Sequence, residues 1–384
     1  MAESPGELQH ALDVMYEYCE NWALSVNVDK TKILIFSRGK IRNKPIFIFN
    51  DDEVEVVDSF KYLGVLFNYN NKPQKCKKFL YDQAYKAMFA VIQKSKKLYL
   101  PVDLMIELFD KLVTPILTYG AEVWGFGDNV LLERLYLKFM KMVLHVKRST
   151  PSCMVYGETG TFPIQLSILQ KMLGFWSKLC NSERPHKISV TLYRLLKVLD
   201  LRGVYSSPWI LKVKNVLDSL GMSDLWINDN FNVKWFKAAV KLRLKDQYLQ
   251  SWTAETEGLS YCTIYRLFKN QFGVEKYLCN LSVNDRITLT KFRTSNIAIP
   301  VNSMRFNNIA RKDRKCELCN ANEIGDEFHY LMKCEYFTTE RKVFLKRYYF
   351  TRPNSQKFAS LLNCEKPAVR KNLVKFINVI SRFF

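Results

Sequence analysis

The chain is 384 residues long, with 58 Lys and Arg against 37 Asp and Glu, a formal net charge of +21. A hydrophobic content of 48% and only 14 Gly and 12 Pro exclude a disordered or low-complexity chain and leave room for two or three domains. No apolar run reaches the ~18 residues that a membrane span requires, and the cationic excess suits a polyanionic partner such as RNA or DNA, a merely basic soluble protein or one working on an anionic membrane being the alternatives.

In chain order, Ser4-Pro5 reads as an N-cap followed by proline at the first helical position. The predicted helix runs from Pro5 to Ala23, with Leu8, Leu12, Met15, Tyr16, Cys19 and Trp22 along one face. The period then shortens. Ile33, Leu34, Ile35 and Phe36 predict a buried strand, and KPIFIFNDDEVEVV a hairpin with Asn50-Asp51-Asp52 as its turn. SFKYLGVLF predicts one more strand, with Gly64 at a bulge or a close backbone approach.

Helix dominates from about Pro73. Amphipathic spacing covers 75–98, 102–118 and 129–146, with prolines 101, 115, 151 and 163 as breaks, and a second helical stretch covers 164–300. SERPHK near 182–187 and DLRGVYSSPW near 200–209 read as loops within it. The expected class is α+β: a small β unit, a mostly helical body and a Cys/His module near the C-terminus. Most of the ten cysteines sit singly in apolar contexts, as reduced and buried thiols do; His10, His145 and His186 have no partner pattern.

One cluster stands apart. Cys316-x2-Cys319, nine residues, His329, four residues and Cys334 make a CCHC set. Two thiolates on a tight turn with a His and a Cys on a following helix complete a tetrahedral zinc, with Gly325 and Asn320 in the connecting turns. Four filled positions make such a metal structural. Arg311, Lys312, Arg314 and Lys315 before the cluster, and Arg341 and Lys342 after it, form a basic collar.

WALSVNVDKTKILIFSR, FKYLGVLF, LFDKLVTPILTYGAEVWG and CELCNANEIGDEFHYLMKC occur in that order. Together they resemble the C-terminal part of a non-LTR (LINE-type) retrotransposon reverse transcriptase, most strongly over 1–180 and 285–345. The resemblance implies a palm remnant at 1–70, a helical thumb at 71–163, a helical connector at 164–300, and a zinc module with a basic helix at 301–384. It also implies a chain that begins just after the Ala-Asp-Asp motif, whose carboxylates hold two catalytic magnesium ions in the parent enzyme. Asp51-Asp52 lacks that lead-in and reads as turn chemistry. The expectation is therefore a remnant that binds RNA or DNA and does not polymerise, in the nucleus or cytoplasm and not secreted. The alternative is a domesticated zinc-containing nucleic-acid-binding or scaffold protein.

The same resemblance assigns roles. Lys30 matches a motif D general acid held by the Asn27 loop, or is a solvated lysine left over from that role. Phe60, Lys61, Tyr62, Leu63 and Gly64 match a primer grip, or form a core strand with one exposed lysine. Tyr119, Glu122 and Trp124 fall in the thumb as core or cap residues. Lys75, Lys77, Lys78 and Lys86, then Lys138, Lys141, Lys147 and Arg148, line a nucleic-acid groove or form a solvated face. Arg293, in KFRTSN, contacts phosphate or caps a helix.

Overall fold

The computed structural model describes residues 2–384 except Pro185 and Asp229, and except the side chains of Arg305 and Phe306. The SERPHK reading therefore lies in part outside the described residues. Two compact units divide the chain, one through Ala84 and one from Tyr85 onward. The class is α+β; among the described residues the strands are confined to the first unit, and helices make up most of the second.

In the first unit, helix Pro5–Asn21 starts as its sequence dictates, with the Ser4 hydroxyl accepting from the Glu7 N–H at 3.2 Å. Leu12 and Cys19 are buried, but Met15 and Trp22 of the same stripe are 45% and 66% exposed. The expected strand through Phe36 shrinks to Ile33–Leu34, paired in parallel with Val56–Val57; Phe36 is exposed. The NDD turn is a two-residue hairpin between Ile48–Phe49 and Asp52–Glu53. Asn50 and Asp51 both take positive φ, 49° and 65°, as a type I′ turn demands. SFKYLGVLF departs from its reading as one strand. It is a tight hairpin, Ser59–Tyr62 against Val65–Asn68, with Leu63 and Gly64 at φ 46° and 83° in the turn. Leu63-Gly64 satisfies the same left-handed geometry that Asn-Gly usually supplies, and the apolar run around it hides the punctuation. Leu12, Ile33, Phe47, Phe49 and Val54 form a small core, with Tyr16 edge-on to Phe49.

Helix Gln74–Lys97 leads from the first unit into the second. Val102–Leu112 stops where Pro115 begins the next turn, Thr114–Leu117, because proline cannot continue the ladder. Phe109 stacks on Phe139 of helix Val130–Leu144 at 4.2 Å between ring centres. A second core surrounds Trp176 of helix Ile164–Cys180, whose indole N–H donates to the Tyr193 hydroxyl at 3.1 Å. Helices Ile188–Leu201, Pro208–Ser219 and Val233–Gly258 contribute to it. DLRGVYSSPW joins the first two of these as expected, with Gly203 at φ 71°. Near the C-terminus, Val283–Arg293 and Thr338–Phe344 pack on Pro367–Ile380.

Among the described residues, no helix is long and apolar enough to cross a membrane.

Candidate metal centre

The four residues picked out by spacing converge. One ligand atom from each of Cys316, Cys319, His329 and Cys334 lies within 4.8 Å of all the others. Among the described residues this is the one group of three or more His, Cys, Asp and Glu close enough to hold a metal ion. The Cys316 and Cys334 sulfurs are 3.9 Å apart, and the Cys319 sulfur is 3.4 Å from His329 Nε2. Tetrahedral coordination at zinc-like bond lengths puts sulfurs about 3.8 Å apart and sulfur and nitrogen about 3.5 Å apart. A disulfide would bring two sulfurs to about 2.05 Å, and none of the ten cysteines is in a disulfide. The donor set and its spacing therefore fit a tetrahedral metal.

Local backbone bonds explain the convergence. Lys315 and Ile324 form an antiparallel bridge, and the Cys316 N–H donates to the Glu323 carbonyl at 2.9 Å. This closes a knuckle in which the Leu318 N–H points at the Cys316 sulfur, 3.4 Å away. Asn320 lies in the turn as expected. Gly325 has a different role from the one read in the sequence. A Cβ there would fall 2.8 Å from the Tyr330 hydroxyl and 3.2 Å from the Lys315 carbonyl, so the position is fixed by close approach.

The His329–Cys334 spacing is the instructive departure. Residues five apart on an α-helix point about 140° away from each other, so a regular helix would not bring both to one ion. The chain instead makes a π-turn over His329–Lys333, closed by the Cys334 N–H donating to the His329 carbonyl at 2.8 Å. That wider turn swings Cys334 back beside His329. It also leaves carbonyls without their usual helical partners. Arg341 takes them: Nε donates to Leu331 O at 2.9 Å, and Nη2 to Tyr330 O at 3.1 Å and Cys334 O at 2.9 Å. Arg341 is 4% exposed. It is thus no part of a basic collar but the brace of the π-turn, and the sequence carries no local sign of that role.

Around the ligands, His329 Nδ1 lies 3.0 Å from Glu323 Oε2, which directs Nε2 to the metal side. Lys333 pairs with the other oxygen of Glu323 at 2.8 Å and, with His329, holds that carboxyl below its ordinary range. The Asp326 carboxylate accepts from the His329 N–H at 2.9 Å and caps the turn. Burial acts to raise the Cys316 thiol but is outweighed by the polar groups around it, Tyr330 and the Leu318 and Cys319 N–H groups, so the net shift is downward. Burial pushes the Cys334 thiol up to about 12. A bound cation reverses that penalty by supplying the missing positive charge.

The expected nucleic-acid residues separate into three groups. Lys75, Lys86, Lys147, Arg148 and Lys312 are exposed, as is Lys342. Others are engaged by the fold. Lys78 pairs with Asp82 at 2.8 Å. Lys138 donates to the Tyr85 hydroxyl at 3.0 Å and lies over the Tyr85 and Phe89 rings. Lys141 donates to the Arg148 carbonyl at 2.7 Å. Arg311 pairs with Asp326 at 2.9 Å, Arg314 donates to the Ile309 and Val301 carbonyls, and Lys315 donates to Asn322 O.

Two assignments are corrected. Lys77 is only 5% exposed and does not lie on a phosphate-facing surface. Arg293 is 1% exposed and reaches no phosphate-facing surface; of its two readings the helix cap is the one met, because Leu362, to whose carbonyl it donates, ends helix Ser355–Leu362. Its guanidinium pairs with Glu158 at 3.0 Å and with Glu275 at 3.0 Å, donates to the Leu362 carbonyl at 3.2 Å, and stacks on Phe268 at 4.6 Å. Tyr277 adds a hydroxyl to Glu158 at 2.7 Å. Glu158 lies 135 positions away in sequence, a separation that no local pattern reveals.

In the first unit, the Asn27 side chain accepts from the Lys30 N–H at 2.9 Å, and the Lys30 side chain is exposed. Phe60 is half-buried. Lys61 lies over the Phe79 ring at 5.2 Å, and Tyr62 and Leu63 project at the hairpin tip, 59% and 74% exposed. Tyr119 is exposed, while Trp124 is buried with its indole N–H donating to the Tyr119 carbonyl at 2.7 Å.

No protein-family profile matches the chain, and no solved structure matches it. It is 27% identical over 144 residues to an uncharacterized transposon-derived protein of Caenorhabditis elegans. The aligned stretch covers 35% of this chain and 48% of that protein, so the chain spans about half the length of the relative it matches. A transposon-derived protein is thus among the chain's relatives.

Proposed function

We propose that this chain is the RNA- or DNA-binding C-terminal part of a non-LTR retrotransposon reverse transcriptase, carrying one structural zinc ion at Cys316, Cys319, His329 and Cys334. The observation that carries the reading is the closed set of four ligand atoms, all within 4.8 Å, on a chain of net charge +21. A site with every position filled by protein has no place for substrate, so its metal holds the fold. The transposon-derived relative and the ordered motifs support this lineage. Exposed cations such as Lys147, Arg148 and Lys312 supply phosphate contacts, and the Tyr62-Leu63 hairpin tip is a surface for a primer end.

These 384 residues do not extend a primer by themselves. Their one Asp-Asp pair, Asp51-Asp52, shapes a tight turn and belongs to no metal-sized cluster among the described residues. Magnesium chemistry belongs to the parent polymerase's own aspartates.

Two measurements on the full chain test the proposal. Elemental analysis is expected to find one zinc per chain, lost in the C316S/C334S variant. Fluorescence anisotropy is expected to find binding of single-stranded RNA or DNA that weakens steeply with salt, as counterion release requires. Primer extension by the purified chain with dNTPs and magnesium, or salt-independent binding, would overturn it.

A further inference from the structure

A cavity of about 370 Å³ lies inside the second unit, between the loop after helix Val130–Leu144, the Tyr261 turn, the KFRTSN segment and the approach to the knuckle. Ligand pockets start at about 300 Å³, a size that takes one nucleotide. Its walls are built rather than incidental. Asn296 Oδ1 accepts from the Lys147 N–H at 2.9 Å and the Thr150 hydroxyl at 3.0 Å, pinning one wall to the other. Ser295, beside it, is held at φ 53°, a left-handed conformation that costs a serine energy and that the surroundings impose.

The deepest feature is a carboxyl group. Glu327 is 1% exposed and lines the cavity. Its Oε1 accepts from Asn302 Nδ2 at 3.0 Å, whereas Oε2 has no hydrogen-bond partner. A buried polar atom without a partner is costly. Here it sits in the wall of a space large enough for a partner to enter. At the rim are the exposed cation Lys147, Arg311 and the half-exposed ring of Tyr261.

We propose that this cavity receives one unstacked nucleobase of a single strand, its polar edge against Glu327 Oε2, its face on Tyr261 and its phosphate at Lys147. A planar ring edged with donors and acceptors matches a pocket of hydroxyl, amide and carboxyl groups, and an aromatic ring beside a cation is how proteins hold single strands. The proposal rests on the nucleic-acid reading above and gives it a specific contact. It also accounts for the TSN residues after Arg293, because Ser295 and Asn296 shape the pocket.

The test uses the full chain with a short single strand carrying one 5-iodouracil, and with a duplex of the same sequence. Photocrosslinking followed by peptide mapping is expected to label Tyr261 or its neighbours in the cavity wall. Glu327→Gln keeps the shape and the Asn302 contact but changes the group offered to the base. Ser149→Trp, at the exposed rim, obstructs the space without touching the core. Each is expected to weaken single-strand binding about tenfold while leaving the duplex affinity and the zinc content unchanged. Should Glu327→Gln fail to fold, Ser149→Trp and the crosslink decide alone. Crosslinks confined to other surfaces, or equal losses on single strand and duplex, overturn the pocket and leave the nucleic-acid reading standing. Absence of binding to either form overturns both.

Discussion

Residues 2–84 and the segment 301–384 are similar in length and are held by different means. The first is ordered by a modest apolar core, Leu12, Ile33, Phe47, Phe49 and Val54, beneath strands of two to four residues. Trp22, Phe36 and Ile46 remain 66%, 56% and 70% exposed. The second has a larger apolar core, with Leu331, Phe337, Phe358, Phe376 and Ile377 fully buried, and adds directional bonds: four atoms close enough to hold a metal, a π-turn and a buried arginine that takes its spare carbonyls. Area burial degrades gradually when one contact is lost. A coordination set with an imposed turn fails as a unit, because each member is positioned by the others.

The sharpest way to break this contrast is to remove the metal ligands. Zinc binding in small modules is worth about 10–16 kcal/mol of apparent folding energy. The C316S/C334S variant or a strong chelator is therefore expected to abolish hydrogen-exchange protection over 315–345 and leave that of residues 2–84 unchanged. Loss of protection in both regions would show that they do not fold independently. The pH dependence has a definite sign. Thiols and imidazole must shed protons to bind, so metal is released as pH falls, and chelator competition followed from about pH 8 to about pH 5 is expected to show rising release.

A smaller loss is expected from Glu158→Ala, which leaves Arg293 charged and buried. Breaking a buried pair costs about 3–5 kcal/mol, and because Glu275 still pairs with Arg293 the loss is expected at the low end of that range, measurable by urea denaturation. Arg341→Ala removes the partner of three buried carbonyls and is expected to cost about 2–3 kcal/mol, with exchange speeding up first across 329–334. The smallest effect belongs to the first unit. Asp51→Gly relieves a positive φ in the Asn50-Asp51 turn and is expected to gain about 0.5–1 kcal/mol, seen as slower exchange in the two flanking strands and nowhere else.

How much of the molecule is legible in the sequence follows from the range of each signal. The Ser4-Pro5 helix start, the NDD turn and the CCHC spacing are local patterns, and the structure realises them. The Leu63-Gly64 turn is concealed because an apolar residue fills a position usually marked by Asn or Asp. Phe36 ends up exposed because a run of apolar residues is buried only when partner strands exist to cover it. Arg341 reads as surface charge, and Arg293 as a phosphate contact or a helix cap, because arginine is mostly exposed. Their partners, Glu158 and the π-turn carbonyls, are set by tertiary structure. The Glu327 cavity cannot be read from local pattern, since its walls come from five separated stretches of chain.

The π-turn also sets up thermodynamic linkage. Arg341 contacts no ligand atom, yet it bonds the carbonyl of Cys334 and braces the irregular turn that aligns Cys334 with His329. A metal held there and the guanidinium would therefore stabilise the same backbone conformation, each favouring the other. A double-mutant cycle between Arg341 and Cys334 would read this as non-additivity, and the zinc dissociation constant of R341A would rise although every ligand remains in place. Spectator in coordination, Arg341 would act as a cooperative effector of a metal bound at these four residues.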